Sequence, residues 1–547
     1  MCSMLSAFFF SNTMFARFSH RCVIVTNSTF GSVVKIPTPR CYSRPTEAHA
    51  SSTEGYVNSK DGELKPFKSI PLAGLPFIGN IPDLIRQGFG SMHLNQIEMR
   101  KKHGVLYRIH LGPMETLIIA DSALIKELMY QEDRNPIRIN IEPWKAYRKL
   151  RGVECGLVTL DHEPWRKPRN IISKRMLRPN EITQYMGKLK IAADDFIDRM
   201  IRLMDQGRDT INLNQDGGIV PEINNEIYKW ALESVAIVLF DVRLGCLQDP
   251  IPSEVQQFID AIDNMLTSLP PLLIMSRWHI SLNTKPWKKQ VESWDTIWKT
   301  GMKYINLKRK SINENSKIDE NREVDLLTYL IVNDKLSMSE ICGNLVEFLI
   351  GGVDTTSNTL LWAMYELARN PECQEQLHTE LECILKGRPL TTENMQNLPY
   401  LNCVIKETLR LHPASPNNSR IPQKDITIGG YNIPKGTNIL TDNYAMSRNE
   451  EVFENANEFQ PERWLRENVD NKLHAFASLP FGFGTRMCIG KRLAEMEVRI
   501  LLSKICQKFL IKPNSDEELV GNLRILLVPE KNVPLRFVIR NQEKPGY

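Results

Sequence analysis

The stretch FGFGTRMCIG, Phe481 to Gly490, sets one cysteine among three glycines and an arginine. Directly after it comes KRLAEMEVRILLSKIC, whose apolar spacing predicts a helix from Lys491. Gly482, Gly484 and Gly490 let the backbone bend closely around the sulfur of Cys488. A cysteine at the mouth of a helix meets the positive end of the dipole and free N–H groups, which favours the thiolate. Such a thiolate is a strong axial ligand for haem iron, and Arg486, two residues upstream, suits a haem carboxylate. The same residues also admit a buried structural cysteine, the usual fate of this residue type.

The rest of the chain narrows the class. Its 547 residues would make three or four average domains, yet no Ser/Gly-rich linker or repeat divides it after residue 60, so one large domain is expected. The eleven cysteines show no CxxC pair or framework spacing, which excludes zinc ribbons and a secreted disulfide scaffold and fits a reducing compartment. Residues 1–46 hold Arg17, Arg21, Lys35, Arg40 and Arg44 and no acidic residue. That is the composition of a mitochondrial presequence or of a disordered basic tail. RCYS, Arg40 to Ser43, looks like a matrix-protease site cutting after Tyr42. The expected division is a presequence at 1–42, a flexible lead-in at 43–64 and one domain at 65–547. Removing 1–42 takes away four basic residues and no acidic one, so the formal charge of +5 falls close to neutral. Nothing in the composition suggests nucleic acid. The apolar run MLSAFFF is far short of the ~20 residues that span a bilayer.

Helical periods dominate. A long helix is predicted over roughly 339–369, stopped by Asn370-Pro371, and another over LPYLNCVIKETLRLHP, stopped at Pro413. Strand-like pieces are few: LYRIHLG and ETLIIAD near 106–121, and ITIGGYNIPKGTNILTDN near 426–443, where glycine pairs suggest hairpins. The breaker-dense KPFKSIPLAGLPFIGNIPDL, Lys65 to Leu84, leads into the domain.

Three further motifs carry chemistry or support. GGVDTT, Gly351 to Thr356, puts two glycines and an acid inside the long helix, each glycine at a cost of about 1 kcal/mol against alanine. Either the missing side chains open a groove in which Thr355 and Asp354 hold water and relay protons, or Gly352 allows close helix packing. In ETLR, Glu407 and Arg410 share one helix face. In WRKPR, Trp165 and Arg169 also share a face, with Pro168 between them as a source of distortion.

FxxGxRxCxG in Phe481, Gly484, Arg486, Cys488 and Gly490 resembles the haem-binding loop of the cytochrome P-450 family at every fixed position. GGVDTT resembles the oxygen-binding helix of that family, and ETLR with Arg463 of FQPERW resembles its Glu–Arg–Arg triad. The motifs stand in the family's order over residues 65–547. The resemblance implies a mainly α fold with small β-sheets, a single triangular domain with haem b buried between two helices. It implies Cys488 as thiolate ligand, Thr355 and Asp354 as the catalytic alcohol–acid pair, and Glu407, Arg410 and Arg463 as structural support for the cysteine loop. It further implies Trp165, Arg169, Arg420 and Arg486 beside the haem carboxylates, with Phe481 and Gly490 in the haem loop.

IEPWKAYRK, SLNTKPWK, LPYLNCVIKETLRL and RMCIGKRLAE resemble the mitochondrial branch of the family, in particular the vitamin D 24-hydroxylase type and invertebrate members. This implies an adrenodoxin-type ferredoxin as electron donor, docking on Lys406, Lys491 and Arg492, with Asn402 where several relatives carry a second lysine. It also implies a sterol-like or other lipophilic substrate and a matrix-side location at the inner membrane. MLTSLPPLLIM, Met265 to Met275, is either a shallow membrane-inserting segment or internal core. The expected function is monooxygenation. A reductase-independent haem-thiolate isomerase or dehydratase, and a non-enzymatic haem sensor, are the alternatives.

Overall fold

Residues 64–74, 79–111, 114–208, 217–314, 325–466, 468 and 476–540 are described by the computed structural model. The expected presequence at 1–42 and all but the last residue of the lead-in at 43–64 lie outside them. The described residues belong to one compact unit, Asn58–Tyr547.

Helices make most of it. Seven position the site: α1 (His162–Met176), α2 (Ile223–Phe240), α3 (Ser253–Ile274), α4 (Lys285–Glu314), α5 (Met338–Arg369), α6 (Pro399–Leu411) and α7 (Lys491–Lys508). α5 starts where sequence reading put it because Ser337 and Glu340 form a reciprocal capping box, satisfying two otherwise orphaned N–H groups. It ends at Asn370, before Pro371. α5 is buried along nearly its whole length, so its apolar residues wrap around the helix and meet α2, α4, α6 and α7. α1 runs through Pro168 without a break, and Trp165 and Arg169 are both buried on one face.

The sheets are small. The main one has five strands in the order Leu72–Ala73, Leu106–Leu111, Met114–Ile119, Asn438–Asp442 and Asn417–Arg420. The Gly429-Gly430 turn closes an antiparallel hairpin, Ile426–Ile428 with Tyr431–Ile433. The second half of that glycine-rich segment does not fold back on it. Asn438–Asp442 leaves to run parallel to Met114–Ile119 and antiparallel to Asn417–Arg420. The lead-in is also more ordered than its breakers suggest: Lys65–Pro66 and Leu72–Ala73 each add a short parallel edge pairing. Edge positions tolerate proline, whose missing N–H is not needed there.

The apolar run Met265–Met275 divides. Met265, Leu266, Leu269 and Leu272 are buried within α3, which packs along α4. Their spacing is helical, so the run's density reflects a core face rather than a surface blade. The exposed apolar residues of this region are Met275, Trp278 and Leu282. Among the described residues no helix is long and apolar enough to cross a membrane.

Candidate active site

The cysteine loop is shaped by its glycines. Gly482 and Gly484 take φ of +70° and +64°, a region most side chains avoid. A Cβ on Gly484 would lie 2.3 Å from a Glu132 carboxylate oxygen, so the loop and that acid need the glycine twice over. Gly490 has an ordinary φ of −86° and serves as the residue before α7. The loop closes on itself through Cys488 N–H donating to Phe481 O at 2.8 Å.

Cys488 opens onto a cavity of about 330 Å³, within the ~300–1,000 Å³ of an ordinary small-molecule pocket. One wall is the cysteine loop and the start of α7, including Phe481, Gly490 and Leu493; the facing wall is α5, through Phe348, Gly351 and Thr355. The two glycines of GGVDTT serve different ends, so both readings of the motif hold. A Cβ on Gly351 would meet nothing within 4 Å, which leaves α5 open toward the cavity. A Cβ on Gly352 would lie 2.6 Å from Val235 Cγ2, so Gly352 lets α2 press against α5.

Thr355 lines the cavity, and its hydroxyl donates to Gly351 O at 2.7 Å. Its oxygen keeps lone pairs that can accept a hydrogen bond. Asp354 turns the other way and is not part of the cavity wall. Its Oδ1 accepts from the Tyr228 hydroxyl and, at 3.3 Å, from the Asn358 amide. Burial raises its pKa to about 6, against the donors that favour the carboxylate. Another acid, Glu497 of α7, does line the cavity. It is buried, takes one hydrogen bond from Thr356 at 3.4 Å, and burial raises its pKa to about 8.

Four arginines converge on the cavity: Arg138, Arg169, Arg420 and Arg486, all but Arg420 in its wall. Arg169 donates to Met487 O at 2.7 Å and Arg420 to Phe483 O at 2.8 Å, while Arg420 also pairs with Glu132. Arg138 donates to Val158 O at 3.1 Å. Arg486 is the most fully engaged. It donates to Pro136 O at 2.7 Å, to Leu160 O at 3.0 Å and to Asp161 at 2.9 Å, and its guanidinium stacks 4.0 Å over Trp165. Two of these carbonyls, of Val158 and Leu160, come from a loop stapled to α5: Asn344 accepts from Leu157 N at 3.1 Å, and Glu347 from Gly156 N at 3.0 Å and Val158 N at 2.8 Å. Burial lowers the Arg486 pKa to about 9, and the nearby guanidiniums of Arg138, Arg420 and Arg169 push the same way. Arg169 falls to about 10 through burial and Arg138. Both stay protonated at neutral pH, so the cluster carries uncompensated positive charge. Sequence reading missed Arg138 and Glu132, which belong to no motif and lie some 350 residues before the loop they meet.

Below the loop, Glu407 is fully buried and collects five donors. Arg410 reaches it at 2.8 and 2.7 Å, Arg463 at 2.9 Å, the Trp464 indole at 2.7 Å and Gln460 N at 3.0 Å. Arg410 spends its remaining donors on Ser447 O, Ala456 O and Glu458 O. The helix pair Glu407–Arg410, which would be worth only ~0.3–0.5 kcal/mol at a surface, is here the centre of a buried network. Trp464 is a member that the motif did not show.

Lys406 is exposed on α6, with its ammonium 5.8 Å over the Trp464 ring. Lys491 and Arg492 open α7; Lys491 lies 5.5 Å over Phe481, and Arg492 faces Glu495 at 3.7 Å. Asn402 accepts from Arg499 Nε at 2.6 Å.

A family model described as cytochrome P-450 matches residues 70–537. The chain belongs to the cytochrome P-450 family, whose members are haem-thiolate monooxygenases. Relatives include the mitochondrial 25-hydroxyvitamin D-1 alpha hydroxylase of Homo sapiens, 36 % identical over 463 residues, covering 83 % of this chain and 89 % of the relative. The mitochondrial 1,25-dihydroxyvitamin D(3) 24-hydroxylase of Rattus norvegicus is 33 % identical over 482 residues, 87 % of this chain and 90 % of its own. The mitochondrial sterol 26-hydroxylase of Mus musculus is 35 % identical over 508 residues, 89 % of this chain and 92 % of its own.

The cavity fits haem on its own chemistry. It offers a single thiol on one wall, an open helix face opposite, and a cluster of buried cations in want of anions, which is what an iron porphyrin with two carboxylates requires. One expectation about the thiol needs correcting. Burial raises the Cys488 pKa, outweighing the Gly490 N–H, Arg169, Arg138 and Lys491 that favour the anion. The helix mouth alone therefore does not ionise this sulfur; a bound metal ion does so outright.

Proposed function

We propose that this protein is a mitochondrial hydroxylase of a sterol-like or other lipophilic substrate, supplied with electrons by an adrenodoxin-type ferredoxin and working on the matrix side of the inner membrane. The observation that carries the reading is the cavity itself, with Cys488 and Thr355 on facing walls and Leu157, Val158, Phe348 and Leu526 in its lining. Haem bound there supplies the oxygen-activating redox chemistry, with Cys488 as the thiolate that donates electron density to the iron.

The protein's own residues do the rest. Arg138, Arg169, Arg420 and Arg486 would hold the haem carboxylates. Gly351 leaves α5 open toward the cavity, and the Thr355 hydroxyl would accept a hydrogen bond there and keep a protonated group in place. Asp354 supplies protons from behind the helix. The apolar lining takes the body of the substrate and excludes water. The relatives, named as sterol and vitamin D hydroxylases of mitochondria, support the substrate class and the compartment, as does the basic, acid-free segment 1–46. Lys406, Lys491 and Arg492 offer an acidic ferredoxin a basic surface on the cysteine side. Arg499, bonded to Asn402, brings positive charge to the position where relatives place a lysine. Met275, Trp278 and Leu282 provide the exposed apolar contact for a membrane surface.

The test is reconstitution of the purified protein with a mitochondrial ferredoxin, its reductase, NADPH and a panel of sterols and secosteroids. At least one panel member should shift the Soret band and yield a product heavier by one oxygen atom. Turnover of hydroperoxides with none through ferredoxin would overturn the reading.

A further inference from the structure

Asp354 is held in an unusual setting for an acid that must exchange protons. It is 4 % exposed, its Oδ2 has no hydrogen-bond partner among the described residues, and its Oδ1 is claimed by a tyrosine from another helix. That tyrosine, Tyr228, sits two turns before Val235 on α2. The Val235–Gly352 approach brings α2 against α5, and with it the Tyr228 hydroxyl onto the acid. Asn358, one turn after Asp354, completes a triangle. Its amide donates to the Tyr228 oxygen at 2.8 Å, to Asp354 O at 2.7 Å and to Asp354 Oδ1 at 3.3 Å. With its oxygen accepting from Asn358, the Tyr228 hydroxyl is aimed at Asp354 and nowhere else. Two further charged groups act on the acid from the elements packed behind it: Arg524, on the hairpin between Gly521–Leu523 and Leu527–Pro529, and Asp263 of α3, and these two pair with each other.

We propose that Tyr228 is a positioning residue for proton supply: its hydroxyl, oriented by Asn358, fixes the Asp354 carboxyl on the α2 side of α5 and sets how readily that acid ionises. This inference rests on Asp354 being the proton source. Tyr228 itself keeps its proton, because burial and the neighbouring carboxylate both disfavour phenolate. Its hydrogen bond favours the Asp354 carboxylate, Arg524 does the same, and burial and Asp263 oppose them. Losing the tyrosine donor must therefore raise the pH at which Asp354 ionises.

The test uses the haem-loaded holoenzyme as wild type, Tyr228→Phe and Asp354→Asn. The infrared carbonyl band absent from Asp354→Asn reports the protonated acid, and its pH midpoint should move up by about one pH unit in Tyr228→Phe, a tenfold change in ionisation constant. Product formed per NADPH consumed in the ferredoxin-driven reaction should fall about tenfold, less than the ~10²–10⁴-fold of losing an acid–base group outright, while turnover driven by added hydrogen peroxide is unchanged. Should the phenylalanine form not accumulate, replacement of Tyr228 by a fluorotyrosine strengthens the donor, and the midpoint should then move down. An unmoved midpoint and an unchanged yield in Tyr228→Phe, alongside a lowered yield in Asp354→Asn, overturn the role of Tyr228 and leave the proton-source reading standing. An unchanged yield in Asp354→Asn overturns both.

Discussion

Two clusters of buried arginines flank the cysteine loop, and they are built on opposite principles. Around Glu407, every donor of Arg410 ends on a carboxylate or a carbonyl, and Arg463 adds to the same acid. Charge and hydrogen bonds close within the protein. Around the cavity, Arg138, Arg420 and Arg169 all push the Arg486 pKa down, and the ion pairs of the four among the described residues are Arg420–Glu132 and Arg486–Asp161. A closed cluster is a brace. An open one is suited to binding an anion.

The contrast is broken most severely at Glu407. Glu407→Ala leaves two buried guanidiniums and an indole without their acceptor, which should cost about 3–5 kcal/mol. Little folded protein should accumulate, as read by thermal unfolding and by the haem spectrum of the lysate. Glu407→Gln, which keeps the shape and half of the acceptors, should be milder.

Arg486 is the member of the open cluster with the most partners in the protein. Its donors already end on Pro136, Leu160 and Asp161, so Arg486→Ala should destabilise the haem-free protein as well as the loaded one, by about 1–3 kcal/mol. Arg169 makes one protein hydrogen bond and should behave differently. Arg169→Ala should weaken haem binding about tenfold, read by quenching of tryptophan fluorescence during titration. The haem-free protein should meanwhile lose no stability, because a repulsive neighbour of Arg486 is gone. Equal destabilisation of the haem-free form by both variants would erase the distinction.

A separate test is the pH dependence at Glu497. Its folded pKa of about 8 lies above the ordinary carboxylate value of 4.5, so the folded state holds the proton after the unfolded chain has lost it. The resulting stability contribution is greatest below pH 4.5, falls as pH rises, and is fully lost above about 8. Glu497→Gln should flatten that fall when unfolding is followed across this range.

The sequence was most legible where one short segment carries a whole function. The cysteine loop, the GGVDTT turn of α5 and the ETLR face of α6 are local patterns, and each lies on the element that the spacing predicted. The capping box and Asn370-Pro371 likewise bound α5 in sequence terms. Contacts that join distant segments were not legible. Glu132 meets Arg420 across 288 residues, and Tyr228 meets Asp354 across 126, with no periodicity to announce either. Direction was hidden too. Asp354 and Thr355 are adjacent in the chain, yet consecutive residues on a helix point about 100° apart, and here one faces the cavity and the other faces α2. The apolar run of α3 left two readings open for a related reason: composition gives density, and only packing shows which face is covered.

The claim on which the account stands is that Cys488 gives its sulfur to haem iron. The direct measurement is the absorption spectrum of the reduced, carbon-monoxide-treated protein, taken for the wild type and for Cys488→Ala. The wild type should show the red-shifted Soret band of a thiolate-ligated haem, and Cys488→Ala should lack it. A wild type without that band, or a Cys488→Ala protein that keeps it, would contradict the account.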